Sequence, residues 1–217
     1  MDGDSCILSQ FIRKDKAAVD DYRLFRVRRT VFQILRDRGY ALSDADLADD
    51  FEGFRAACGE PVDLRTLTVV RIHPSAGKII VFFFGGDSFK VAHLREYLVQ
   101  CNREGASRMI IAYRSSITSL VRKAVKESES TIKVELFHMS DLLCNPMDHV
   151  LMPKHEILTA EEKEKLLDEY KINENQMPRM LQTDMVARYH GLERGQVVKV
   201  TYSGEITESH VTYRCVT

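Results

Sequence analysis

The side chains here that could carry chemistry are seven histidines, five cysteines and a scatter of carboxylates, and their spacing decides what chemistry is open to them. His149 and His155 lie six residues apart across an extended, proline-containing segment, which does not converge them on one ion. His73, His93, His138, His190 and His210 have no carboxylate or cysteine constellation beside them, so structural or solvent-facing roles are expected. Cys6, Cys58, Cys101, Cys144 and Cys215 form no C-x-x-C pair, which argues against a zinc site or redox dithiol and for reduced thiols inside a cell. A metal-dependent nuclease would place an acidic residue, then Glu-x-Lys, on adjoining strands around a divalent cation. Asp63 stands where the first acid would be, but the next strand reads Lys78-Ile79-Ile80-Val81 and offers no oxygen ligand. Phe82-Phe83-Phe84-Gly85-Gly86 puts two glycines after a strand without the G-K-[ST] or G-x-G-x-x-G that phosphate loops need. With no G-x-S-x-G either, the sequence reads as a protein without enzymatic activity, cofactor or metal site.

Charge narrows the field further. The chain of 217 residues is 44% hydrophobic and 29% charged, as ordinary soluble domains are. A net charge of −1 argues against a dedicated nucleic-acid binder. Arg23, Arg26, Arg29 and Arg36 share one face of a helix, and three readings stay open for them: phosphate contact, an acidic partner, or a solvated face. Asp20, Asp21 and Asp37 flank the cluster and favour the last. The opening MDGDSCILSQ lacks the basic flank and apolar core of a signal peptide, and the apolar run at 79–84 is too short to span a bilayer.

Periodicity supplies the elements. Leu24, Val27, Val31, Ile34 and Leu35 recur at helical spacing within residues 19–40, with Gly39 as the stop. Ser43 with Asp46 reads as a capping box for a second helix that carries Leu47, Phe51 and Phe54. Residues 67–72 and 78–84 read as a hairpin. Val91, Leu94, Leu98 and Cys101 then mark a helix ending before Gly105, and residues 108–113 a strand. Ile117, Leu120, Val121, Ala124 and Val125 mark another helix, and residues 131–137 another strand. This alternation implies an α/β domain, a mixed sheet with helices, over residues 19–143, preceded by an extension at 1–18. The stretch 141–148, DLLCNPMD with its Asn-Pro turn signal, marks the boundary to a small α+β domain at 144–217.

The second domain is densely punctuated. Pro153 holds Met152 extended, and Thr159 with Glu162 boxes a helix that Asn173 and Pro178 close. On that helix Glu161 can pair with Lys165 at i,i+4. Thr183-Asp184 can cap a shorter helix that Gly191 ends in the left-handed region, and Glu193-Arg194-Gly195 turns the chain into a valine-rich strand at 196–202. A last strand follows at 210–216, joined around Ser203-Gly204.

The segments LMPKHEILT, ENQMPRM, DMVARYHGLERGQVVKV and ESHVTYRCV closely resemble the fifth of the subunits shared by eukaryotic nuclear RNA polymerases. Their block also resembles the small archaeal polymerase protein that corresponds to this C-terminal module alone, and RDRGY, LTVVRI and KIIVFFF extend the likeness into the first domain. GEITESHVTYRCV and the N-terminal extension resemble the variant fifth subunit of plant-specific polymerases. The resemblance implies a noncatalytic nuclear subunit whose C-terminal assembly domain docks on the largest subunit. The N-terminal jaw domain would lie beside downstream duplex DNA, in a plant-specific polymerase that makes noncoding RNA for gene silencing or, as the runner-up, in a subunit shared with the messenger-RNA polymerase. Pro153, His155, Arg188, Tyr189, Gly191, Gly195 and Val197 match the assembly motif, and Gly191 and Gly195 would shape its backbone. Thr118 and Ser119, with Arg114 and Arg122 nearby, match the loop that approaches DNA in the family, although the family's Thr-Pro pair lacks its proline here. Two other readings compete: a free-standing protein-interaction adapter, and the metal-dependent nuclease already disfavoured.

Overall fold

Strand β1 (Val69–His73) turns into β2 (Gly77–Phe84), and residues 79–83 of β2 are all buried, so both faces of its sheet must be covered. The computed structural model describes residues 16–43, 46, 50–59, 61–202 and 209–217, and the chain divides into two units between Cys144 and Asn145. Most of the N-terminal extension, Leu47, the Ser203-Gly204 junction and most of GEITESH lie outside the described residues.

In the first unit the sheet runs β1-β2-β3-β4, with β3 (Arg108–Tyr113) and β4 (Lys133–His138). The hairpin is antiparallel, while β2, β3 and β4 are parallel and joined by helical crossovers, as parallel pairs require. Helices α3 (Val91–Glu104) and α4 (Ser119–Ser128) supply them and cover one face. There Leu94, Cys101, Val121 and Val125 pack with Ile80, Phe82, Met109, Ile111 and Val134. The alternate residues Val81, Ile110 and Glu135 point to the other face. Just beyond α1 (Lys16–Asp37), Arg38 grips Glu135 through two hydrogen bonds of 2.9 and 2.6 Å, which places the end of α1 over that face. The predicted stripe agrees: Val27, Val31, Ile34 and Leu35 are buried.

α1 already includes Lys16, three residues before the expected start. Its arginines are largely used within the unit. Arg26 donates to the Leu143 carbonyl at 3.2 Å, and Arg28 lies over the Phe32 and Phe54 rings. Arg23 and Arg36 pair with Asp20 and Asp37, as a solvated face does. Ser43 and Asp46 do cap one another, but α2 (Phe51–Cys58) opens on Asp50, whose carboxylate accepts from the Gly53 N–H at 2.7 Å. On the outer edge of β1 two carbonyls are occupied: Ala41 N–H donates to the Ile72 carbonyl at 3.2 Å and the Arg71 guanidinium to the Val70 carbonyl at 2.8 Å.

The second unit holds a sheet of order β5-β7-β8-β6, built from β5 (Lys154–Ile157), β6 (Arg179–Met180), β7 (Val197–Tyr202) and β8 (His210–Val216). Every pair is antiparallel except β6 with β8. Helix α5 (Ala160–Tyr170) packs Leu166 on Val197 and Cys215. On the opposite face α6 (Met185–His190) packs Val186 and Ala187 on Val198, Val200 and Val216. The Thr159–Glu162 box is present, with Glu162 N–H donating to Thr159 at 3.2 Å and Thr159 N–H to Glu162 at 2.8 Å.

Two expectations for α5 fail. The helix ends on Lys171 at φ 52°, not on Asn173 and Pro178; Asn173 instead opens a 3-10 turn at Glu174–Gln176. No Glu161–Lys165 pair forms among the described residues. Lys163, two residues before Lys165, bonds to Glu174 and to the Gly195 carbonyl and so ties α5 to the turn before β7.

Candidate functional site

The seven assembly-motif residues all lie in the second unit, and most of them build its frame. Asn145 opens the frame, accepting from Met147 N–H at 2.9 Å and donating to the Tyr189 hydroxyl at 3.3 Å. Tyr189 is 1% exposed, so its ring is core and its hydroxyl a buried anchor. Val197 is equally buried, under α5. Gly191 sits at φ 63° and Gly195 at φ 87°, and both are turns that an L side chain would strain. Gly191 lets Leu192 N–H close onto the Ala187 carbonyl at 2.8 Å. Gly195 bonds the Val216 carbonyl through its N–H, at 2.9 Å, and the Lys163 ammonium through its carbonyl. Arg188 is half-buried on α6.

Pro153 and His155 stand apart from that frame, at the start of edge strand β5. His155 pairs with Val200 and is half-buried; burial holds its pKa below the ordinary imidazole value, against the opposing pull of the Pro153 carbonyl and of Asp184, with Arg214 acting in the same direction as burial. Its Nδ1 is buried without a hydrogen-bond partner among the described residues. Around this strand lie residues that motif matching missed: Val150 and Leu151, 81% and 84% exposed, and Ile157, 42% exposed. The available signal was an apolar run, VLMP, entering a strand with no helical or alternating period to bury it.

In the first unit, Arg114, Thr118, Ser119 and Arg122 gather where β3 meets α4, and all four are exposed. Arg114 ends the strand with its N–H on the Phe84 carbonyl at 3.1 Å, and its guanidinium pairs with Asp20 at 3.1 Å. Thr118 is the N-cap of α4, yet its side chain makes no capping bond; its carbonyl accepts from Val121 and Arg122 N–H groups. Thr118, Ser119 and Arg122 thus lie exposed at the first turn of α4 with its N-terminal N–H groups, and Leu120 is 68% exposed.

Among the described residues, no group of three or more His, Cys, Asp or Glu side chains is placed to hold a metal ion. Asp63 caps a turn, accepting from Arg65 N–H at 2.9 Å. Among the described residues, no helix is long and apolar enough to cross a membrane.

A mixed-sheet α/β unit followed by a small unit carrying this turn-and-strand motif defines a class, and comparison with known proteins names it. Residues 19–101 match the RNA polymerase Rpb5 N-terminal domain and residues 144–216 the Rpb5 C-terminal domain, so the chain belongs to the RNA polymerase Rpb5 family. Within that family it is 44% identical over 204 residues to DNA-directed RNA polymerases IV and V subunit 5B of Arabidopsis thaliana, covering 93% of each chain. It is 39% identical to RNA polymerase V subunit 5A of the same plant, covering 96% of this chain and 94% of that one. Identity is 33% to subunit RPABC1 of RNA polymerases I, II and III from Caenorhabditis briggsae, covering 91% and 97%.

Proposed function

We propose that this chain is a noncatalytic subunit of a nuclear DNA-directed RNA polymerase of the plant-specific type, which makes noncoding RNA for gene silencing. The observation that carries the choice of polymerase is the gap in identity, 44% to a polymerase IV and V subunit against 33% to a subunit shared by polymerases I, II and III, each over nine-tenths of both chains. The second unit is the assembly domain and docks on the largest subunit; its rigid turn-and-strand frame and the exposed Val150 and Leu151 fit that role. The first unit is the jaw near downstream DNA. Thr118, Ser119 and Arg122 supply hydroxyls, helix N-terminal N–H groups and one guanidinium, chemistry that meets phosphate without reading bases. Arg114, held by Asp20, positions the loop more than it contacts the duplex.

The test is mass spectrometry of proteins that co-purify with the tagged native chain. The expected result is a largest subunit of a plant-specific polymerase at near-equal abundance. Recovery of the largest subunit of polymerase II instead would reassign the chain to the shared set, and recovery of no polymerase subunit would leave the adapter reading.

A further inference from the structure

The outer edge of β5 carries backbone groups that nothing among the described residues satisfies. β5 pairs with β7 from Lys154↔Thr201 to Ile157↔Val198, and Leu158 N–H continues the ladder to the Val197 carbonyl at 3.0 Å. In an antiparallel pair alternate residues face the partner. Lys154, Glu156 and Leu158 therefore bond β7, while His155 and Ile157 aim N–H and C=O away from it. The slot is bounded at both ends. Pro153, the next outward-facing residue, has no N–H, and the Thr159 N–H is held by Glu162 at 2.8 Å. The donors and carbonyls of His155 and Ile157 remain, in fixed register, beside exposed Ile157 and just after exposed Val150 and Leu151, while the Pro153 carbonyl interacts with the His155 ring. The edge of β1, by contrast, has both its outward carbonyls, those of Val70 and Ile72, occupied by its own chain.

We infer that this slot takes a short extended segment of the polymerase subunit on which the second unit docks, added as a fifth strand beside β5. The inference rests on the assembly reading above and specifies its contact. Side-chain chemistry describes the segment. On one face it meets Ile157 and calls for an apolar residue. On the other it meets Lys154 and Lys199, which share the single Glu156 carboxylate at 2.6 and 3.7 Å, so one positive charge is left for an acidic residue. A second copy of this chain fits poorly. Antiparallel self-pairing that uses both outward residues sets 155 against 157 of the other copy, and so puts Glu156 directly opposite Glu156, where like charges repel.

Two measurements on the full chain co-expressed with the largest subunit test this. In residue-resolved hydrogen exchange, the His155 and Ile157 amides should exchange fast in the free chain and at least tenfold slower in the complex. Ile157→Pro removes an outward donor and leaves the β7 ladder intact, because proline is tolerated where the N–H faces out of a sheet. It should keep its thermal midpoint yet recover at least tenfold less largest subunit, while Ile157→Thr stays within about threefold of wild type. Unslowed exchange at 155 and 157 in the complex overturns the inference even if Ile157→Pro fails to fold. So does a folded Ile157→Pro that recovers wild-type amounts. Amides that slow with the chain's own concentration, with no polymerase subunit present, overturn it in favour of self-pairing. If the wild-type chain recovers no polymerase subunit, the assembly reading fails and takes this contact with it; if wild type and Ile157→Pro recover it alike, only the contact fails.

Discussion

His155 illustrates how one residue joins stability to the candidate surface. Its imidazole is desolvated, so the folded chain favours the neutral form and its pKa lies below the ordinary value. A proton at this site is therefore bound more readily by the unfolded chain. The sign follows: His155 costs nothing above the unfolded imidazole pKa of about 6.5, and stability falls as pH drops below that value until the folded form also protonates. Denaturant unfolding between pH 7.5 and 5 should show this loss, and His155→Phe should flatten it. The slope is the readout, since the substitution will also change stability at pH 7.5. Equal slopes in the two proteins would show that the imidazole is not strained as described.

At the level of elements, what the sequence made legible was whatever had strong local signals. The hairpin with its turn, the strand at 108–113 and the helices stopped by Gly105 and Gly191 all lie within a few residues of their expected places. The misses share a cause. β6 is two residues long and exists only because β8 lies alongside it, which no local period can report. Lys163 bonds across to Glu174 and the Gly195 carbonyl, and such a tertiary partner is invisible to i,i+4 reasoning about Glu161 and Lys165. The end of α5 departs from expectation because Lys171 takes a left-handed conformation that lysine rarely adopts, whereas Asn173 and Pro178 have the residue types of a stop. That strain is testable. Lys171→Gly should stabilise the chain by about 1 kcal/mol and raise its thermal midpoint, because glycine enters this region without steric cost. A lower midpoint would mean that the lysine side chain contributes more than its backbone loses.

For the molecule as a whole, the seven motif positions describe the frame of the second unit more than its surface. Tyr189 and Val197 are interior, Gly191 and Gly195 shape turns, and the exposed Val150, Leu151 and Ile157 are not among the seven singled-out positions. Matching residue types favours positions that folding constrains, and a docking surface is constrained only when its partner is present. The division between Cys144 and Asn145 carries a consequence for folding. The second unit has its own four-stranded sheet, with Val198 and Val200 packed under α6 and Val197 under α5, and none of these clusters draws on the first unit. A domain of this size is near the lower limit for folding alone, yet it satisfies its helix ends internally through the Thr159 box, the Asp184 cap and Gly191. Residues 144–217 expressed alone should therefore unfold cooperatively and recover the largest polymerase subunit within about threefold of the full chain, while residues 16–143 alone recover none. The reverse pattern, with binding carried by 16–143, would move the docking surface to the first unit and leave the β5 edge without a partner.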